Sequence, residues 1–340
     1  MRWLYLGELS MRKRILFVNG IVVIFVFAGL LGFFWSRMSP AQQLVEKTPP
    51  LPLAAETETK RDTDGTAQSP PTILFAGDIM FDRYIRTQSE KFGKESIFAG
   101  VRSKLLAGDG VVANLEGPIT LNASKSVGSA LGESRNYIFT FDPLWAKTLF
   151  DANIRIVNIG NNHILNFGES GLVETRRFLR DAGVKFFGDP LDETLRTYVA
   201  DIRGKKVGFV NYNQFSSDAE HRALTDIERL RSSVDVLFVY THWGVEYAPA
   251  TSEEKRLAHL FIDRGVDAVI GSHPHVVQEH ELYRGKAIYY SLGNFVFDQY
   301  FSSETTHGLM VEALIAPDNT ISFQEIPLKL SLDGKTSIAQ

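Results

Sequence analysis

The 340-residue chain contains no cysteine. That absence excludes a disulfide framework and any thiolate metal ligand, although it does not by itself identify a compartment. No Gly-x-x-x-x-Gly-Lys-Ser/Thr loop and no dinucleotide glycine fingerprint occur, so ATP-driven ligation by this chain alone is disfavoured. No Gly-x-Ser-x-Gly elbow is present either, because Gly168-Glu169-Ser170-Gly171 has the wrong spacing. Internal repeats are absent. Positive charge is also in short supply. The net charge is −4, and the part from Thr72 onward carries about −6, which argues against a nucleic-acid surface and against loose adhesion to a polyanion. An acidic domain can still handle an anionic substrate if bound cations neutralise it locally.

What is present divides the chain into four. Residues 1–14 end in the basic cluster Arg12-Lys13-Arg14, and Met11 before it is a second candidate start. Residues 15–36 are apolar apart from Asn19 and are long enough for one transmembrane helix. The positive-inside rule then puts the N-terminus in the cytoplasm and the rest outside, in a single-pass cell-membrane protein. Ser36-Arg37-Met38-Ser39 is a poor signal-peptide cleavage site, which favours an uncleaved anchor. Residues 37–71 are rich in Pro, Thr and Glu without periodicity and read as an extended stalk. Residues 72–340 are one α/β domain of mixed sheets, with 44% hydrophobic residues over the whole chain.

Within that domain, apolar runs repeatedly end in residues able to bind metal. Ile73–Ala76 leads to Asp78, Gly110–Ala113 to Glu116, and Ile154–Val157 to Asn162 and His163. Val234–Tyr240 leads to His242 and Glu246, and Val266–Ile270 leads to Gly271-Ser272-His273-Pro274-His275. The runs read as buried strands by length and by β-branched and aromatic content. Sites in open α/β sheets form outside the carboxyl ends of strands, so these five ends are expected to converge on one cleft. In an extended backbone His273 and His275 point to the same side, and Gly271 is expected to let the chain turn as it leaves its strand. Leu172–Ala182, capped by Gly183, and Ser252–Arg264, capped by Gly265, read as helices. Ser252 with Glu253 and Glu254 is the expected start of the second. Further strands are expected at Lys205–Asn211, Ala287–Ser291, Gly308–Ile315 and Thr320–Ile326.

Six ordered motifs carry a family resemblance: Gly77-Asp78-x-Met80, Asn114-Leu115-Glu116-x-Pro118, Asn161-Asn162-His163, His242-Trp243-Gly244-x-Glu246-Tyr247, His273-Pro274-His275 and Tyr290 to Gln299. Together they resemble the CapA/PgsA family of bacterial capsule and poly-γ-glutamate synthesis, within the calcineurin-like metallophosphatase superfamily. The resemblance implies two mixed β-sheets packed face to face and flanked by helices. It implies two divalent metal ions, Mn, Fe or Zn, with Asp78 and His275 on the first, Glu116 bridging, and Asn162, His242 and His273 on the second. His163 resembles the general acid of the leaving group. Glu246, Tyr247, Asn294 and Asp298 are the substrate-binding candidates. His221, His259, His280 and His307 lie outside the motifs and read as surface or packing residues.

Two departures stand out. Met80 occupies the place of the Asp-x-His histidine of the wider superfamily, as is usual in this family. Asn166 stands where relatives read Asp after Asn-Asn-His, so any carboxylate support for His163 is lost unless Glu169 substitutes. Three functions follow as expectations. One is a hydrolase or transferase acting on a γ-glutamyl amide of an extracellular anionic polymer. The second is a phosphoesterase. The third is a non-catalytic polymer-binding or export component, working with capsule-synthesis membrane proteins and without nucleic acid.

Overall fold

The computed structural model describes residues 69–339. The expected transmembrane segment at 15–36, and all but the end of the expected stalk, lie outside the described residues. Among the described residues no helix is long and apolar enough to cross a membrane.

The strands are β1 (Thr72–Ile79), β2 (Val111–Leu115), β3 (Ile154–Asn158), β4 (Lys185–Phe187), β5 (Thr197–Ile202), β6 (Lys205–Asn213) and β7 (Val236–His242). They continue with β8 (Ala268–Ser272), β9 (His280–Tyr283), β10 (Lys286–Tyr289), β11 (Asn294–Val296), β12 (His307–Ile315), β13 (Ile321–Leu330) and β14 (Thr336–Ile338). The helices are α1 (Arg83–Phe92), α2 (Arg102–Ala107), α3 (Leu144–Asp151), α4 (Gly168–Ala182), α5 (Ala219–Arg231) and α6 (Ser252–Asp263).

One sheet has the order β14-β13-β12-β1-β2-β3-β4, with β11 also pairing to β1. Its β1 to β4 half is parallel and its β12 to β14 half antiparallel. The other sheet has the order β5-β6-β7-β8-β10-β9, parallel from β6 through β10. Alternation within β1 shows how they stack. Ile73 and Phe75 pack with Phe209, Phe238 and Ile270 of the second sheet, whereas Leu74 and Ala76 pack with Ile85, Leu105 and Leu149 of the helices. Both faces are apolar, as expected of strands covered on two sides. Helices α1 to α4 share the outer core of the first sheet, and α5 and α6 that of the second, through Ile227, Leu257 and Phe261. The mixed sheets stacked face to face and flanked by helices are therefore present.

Local expectations fared unevenly. Helix α4 ends at Gly183, whose left-handed backbone (φ 81°) closes it, but it starts four residues before the expected Leu172. Its first turn is Gly-Glu-Ser-Gly, which carries no apolar pattern to read. Helix α6 is capped by Thr251 rather than Ser252. The Thr251 hydroxyl accepts from the Glu254 backbone N–H while the Glu254 carboxylate accepts from the Thr251 N–H, a reciprocal capping box. Gly271 is not a turn residue but lies inside β8. A Cβ there would stand 1.8 Å from the Tyr290 carbonyl oxygen, so glycine is required by close packing.

Candidate metal centre

The parallel strands of both sheets deliver polar residues at their carboxyl ends, where the two sheets meet. From the first sheet come Asp78 on β1, Glu116 just beyond β2, and Asn162 and His163 beyond β3; from the second come His242 on β7 and His273 and His275 beyond β8. Asp78, Glu116, His242, His273 and His275 are all buried. Three groups of potential ligand atoms each fall within a 4.8 Å span: Asp78, Glu116 and His275; Glu116, His242 and His273; and Glu246, His273 and His275. Glu116 belongs to two of them. Asn162 joins through its Oδ1, 2.8 Å from His242 Nε2.

The histidine pair comes together by a route the sequence did not suggest. Strand β8 ends at Ser272, and both His273 (φ 99°) and His275 (φ 59°) lie in the left-handed region, as does Tyr247 (φ 61°). Such a backbone is costly for residues with a Cβ, of order 1–3 kcal/mol each, and persists only where surroundings impose it. A bend about Pro274, not an extended strand, therefore brings the two rings to 5.9 Å. The Tyr247 N–H donates to the Pro274 carbonyl (2.8 Å) and ties the β7 loop to this bend.

The electrostatics favour cations. Glu116 is fully buried and neither carboxylate oxygen has a hydrogen-bond partner. His275 Nε2 lies 3.5 Å from it and His163 Nε2 3.8 Å. Burial and then the charge of Asp78 push the Glu116 carboxyl well up. Asp78 is also subject to burial, but hydrogen bonds and charge from His275, His242 and the His273 N–H outweigh it and hold it at about 2. Burial lowers His242 well below the ordinary value and His273 to about 4. Buried acceptors without donors, beside imidazoles kept neutral, suit divalent ions, and the all-oxygen and nitrogen donor set suits Mn, Fe or Zn.

A set of buried amides, absent from the expectations, supports the ligands. Asn114 Nδ2 donates to Asp78 Oδ1 (2.8 Å) and lies 3.3 Å from His242 Nδ1, while its Oδ1 accepts from Asn158 (3.0 Å) and Asn161 (3.1 Å). Asn211 on β6 donates in turn to Asn158 (2.9 Å), which carries the network into the second sheet. The readable signal was an asparagine at the end of successive apolar runs. Asn114→Ala is expected to lower the unfolding free energy by roughly 2–4 kcal/mol, because several buried groups lose partners together. Urea denaturation would measure it, and a loss below about 1 kcal/mol would remove this supporting role.

The remaining candidates sort by what they touch. His163 Nδ1 lies 3.2 Å from Asn166 Oδ1, which also accepts from the Phe139 N–H (2.7 Å). Glu169 is exposed on the first turn of α4 and does not replace it. Glu246 is exposed and offers a carboxylate beside His273 and His275. Tyr247 is 45% exposed with its ring 6.1 Å from that of His275. Asn294 is fully buried, its amide committed to His275, Gln299 and Thr305, so it has nothing free for substrate. Asp298 pairs with Arg83 and accepts from the Tyr84 N–H (3.1 Å). Arg83, also unforeseen, lies over Phe139 and Phe297, rings that pack on His163 and His275 respectively.

The sequence comparisons agree with the motif pattern. The family described as bacterial capsule synthesis protein PGA_cap matches residues 72–299. Capsule biosynthesis protein CapA of Bacillus anthracis is 25% identical over 280 residues, covering 76% of this chain and 67% of that protein. PGA biosynthesis protein CapA of Bacillus subtilis (strain 168) is 28% identical over 275 residues, covering 75% and 70%. A probable polyglutamine synthesis accessory protein of Mycobacterium tuberculosis (strain ATCC 25618 / H37Rv) is 27% identical over 212 residues, covering 51% and 55%. With the family model matched over residues 72–299 and the motif residues gathered at the strand ends where the two sheets meet, this chain belongs to the bacterial capsule synthesis protein family PGA_cap.

Proposed function

We propose that the chain serves capsule or poly-γ-glutamate synthesis as a membrane-anchored protein whose domain, residues 72–340, works outside the cell. Its reaction is metal-dependent cleavage or transfer at a γ-glutamyl amide of an anionic polymer. The observation that carries this reading is Glu116, a buried carboxylate with both oxygens unpartnered among Asp78, His163 and His275. Leaving such a group unpaired costs several kcal/mol, and bound cations remove that cost. Asp78, Glu116 and His275 would hold one divalent ion, and Glu116, Asn162, His242 and His273 a second. Ions there supply Lewis acidity and a bound water of lowered pKa. Bound there, they would also offset the repulsion between an acidic domain and an anionic polymer. Capsule-synthesis membrane proteins are the proposed partners, since this chain has no nucleotide loop of its own.

The chain's own residues handle the proton. The Asn166 Oδ1 accepts from two sides and holds the His163 Nδ1–H, leaving Nε2 toward Glu116 and the cleft. Burial lowers His163 to about 4, with the Asn166 bond opposing. An acid at Nε2 therefore needs added negative charge. Asn166→Asp is isosteric, keeps both hydrogen bonds and supplies that charge. It is expected to raise release of p-nitroaniline from γ-glutamyl-p-nitroanilide at pH 7 by roughly tenfold. An unchanged rate would separate His163 from leaving-group protonation.

The same Asn166 favours one competing reading, a non-catalytic polymer-binding or export component whose metal site is vestigial. Elemental analysis of the purified chain after growth with Mn, Fe and Zn tests the proposal first. About two equivalents per chain are expected. A folded chain that retains none would leave only the competing reading.

A further inference from the structure

A chain of hydrogen bonds runs from the metal-capable cluster to an exposed hydroxyl, and its polarity can be deduced. The Asn294 Nδ2 faces three acceptors: the His275 carbonyl (3.2 Å), the Thr305 carbonyl (3.0 Å) and Gln299 Oε1 (3.1 Å). Two of these are backbone oxygens, so the amide has only one sensible orientation. Its Oδ1 then accepts from His275 Nδ1 at 3.0 Å, which puts the imidazole proton on Nδ1 and leaves the Nε2 lone pair toward Glu116. The orientation of Gln299 follows in turn. With Oε1 taken by Asn294, its Nε2 donates to the Tyr247 hydroxyl at 3.0 Å. Tyr247 therefore accepts from Gln299, and its own proton points elsewhere. After burial, the Glu246 carboxylate pushes the phenol up both by its charge and as a hydrogen-bond acceptor, so it is the protein group that competes with substrate for that proton.

The surroundings give that proton somewhere to go. Tyr247 lines one open cleft of about 520 Å³ and Gln299 lines another of about 520 Å³, with Phe301 common to both. Phe301 packs edge-on against Tyr247, ring centres 5.1 Å apart. The left-handed backbone of Tyr247 and its N–H bond to Pro274 fix where the ring stands.

We propose that Gln299 is a positioning residue that sets the polarity of the Tyr247 hydroxyl, so that Tyr247 donates its proton to an oxygen of substrate bound beside His275. The Gln299 amide thereby takes its own orientation from Asn294 and aims a donor at the ligand. The oxygen in question is a carbonyl or carboxylate of the polymer, a choice that rests on the γ-glutamyl reading above. The relay itself does not rest on it.

The test uses the full chain and two readouts. Nitrogen-15 NMR of the imidazoles in EDTA-treated protein is expected to show His275 as the Nδ1–H tautomer in wild type and in Gln299→Glu. In Gln299→Leu the same tautomer is expected, because the His275 and Thr305 carbonyls still orient Asn294. Glutamate at 299 still accepts from Asn294 but forces the Tyr247 hydroxyl to donate inward. Titration calorimetry with a γ-linked glutamate tetramer, with Mn present, is expected to show binding about tenfold weaker for Tyr247→Phe, for Gln299→Glu and for the double variant alike. An Nε2–H wild type, additive losses, or a Gln299→Glu that binds as wild type would each overturn the relay. If wild type binds inorganic phosphate but not the tetramer, the γ-glutamyl reading fails and the same variants on phosphate still decide the relay.

Discussion

Replacing His273 and His275 together by alanine is expected to strip the chain of bound metal while leaving it folded. His273 makes no side-chain hydrogen bond through Nδ1, so its loss strands no partner. His275 gives up its bond to Asn294, whose amide keeps its three other contacts. It also gives up its approach to Asp78 Oδ2 at 3.4 Å, while Asp78 keeps Asn114 and the His273 N–H. Against these small losses stands the ligand count. Each of the three metal-capable groups contains at least one of these two histidines. Removing both leaves no three-residue group intact, and the imidazoles are the borderline donors that hold Mn, Fe or Zn against water. The expected result is metal at background by elemental analysis, with a stability change within about 2 kcal/mol by thermal melting. Wild-type metal content in the double variant would end the site assignment.

Glu116→Gln is expected to reverse its effect on stability according to whether metal is present. In metal-free protein the Glu116 carboxyl is pushed well up, first by burial and then by Asp78. A group whose pKa is higher folded than unfolded contributes stability below its unfolded pKa and loses it as pH rises toward the folded value. With EDTA, the variant should therefore gain on wild type as pH increases above about 4.5, by up to about 1.4 kcal/mol per pH unit. The lowered Asp78 and the lowered histidines pull the other way as pH falls, but both proteins contain them, so the difference isolates Glu116. With Mn the order inverts, because only the wild type retains the shared carboxylate and gains linkage energy from the ion. Urea unfolding across pH with and without Mn checks both halves. A pH-independent gap in EDTA would show that Glu116 does not sit buried and unpaired.

The layered fold was legible because β1, β2, β3, β7 and β8 are buried on both faces and show as continuous apolar runs. Their carboxyl-end residues could be read directly, since each breaks an apolar run with a polar side chain. Conformation at the site could not. Nothing in His-Pro-His announces two left-handed histidines, because the contacts that impose them come from β1, Tyr247 and Asn294, remote in sequence. Asn114 was visible as part of a motif, but its supporting role was not, for a related reason. An asparagine is equally plausible in a turn, and only the convergence of Asp78, Asn158 and Asn161 on it reveals a buried hub. Asn294 and Asp298 were expected to meet substrate, yet each is engaged by protein partners that no local pattern encodes.

The meeting of the two sheets at this centre bears on how the molecule comes apart. Asp78, Glu116 and Asn162 belong to one sheet, and His242, His273 and His275 to the other. In a chain without cysteine, an ion gripped from both sides is the equivalent of a crosslink between segments nearly 200 residues apart. An ion held only by the folded chain stabilises it by its binding free energy and must be released before the two sheets part. Chelation should then do more than silence chemistry. It should let the two halves separate earlier on heating and expose the apolar layer between them to protease.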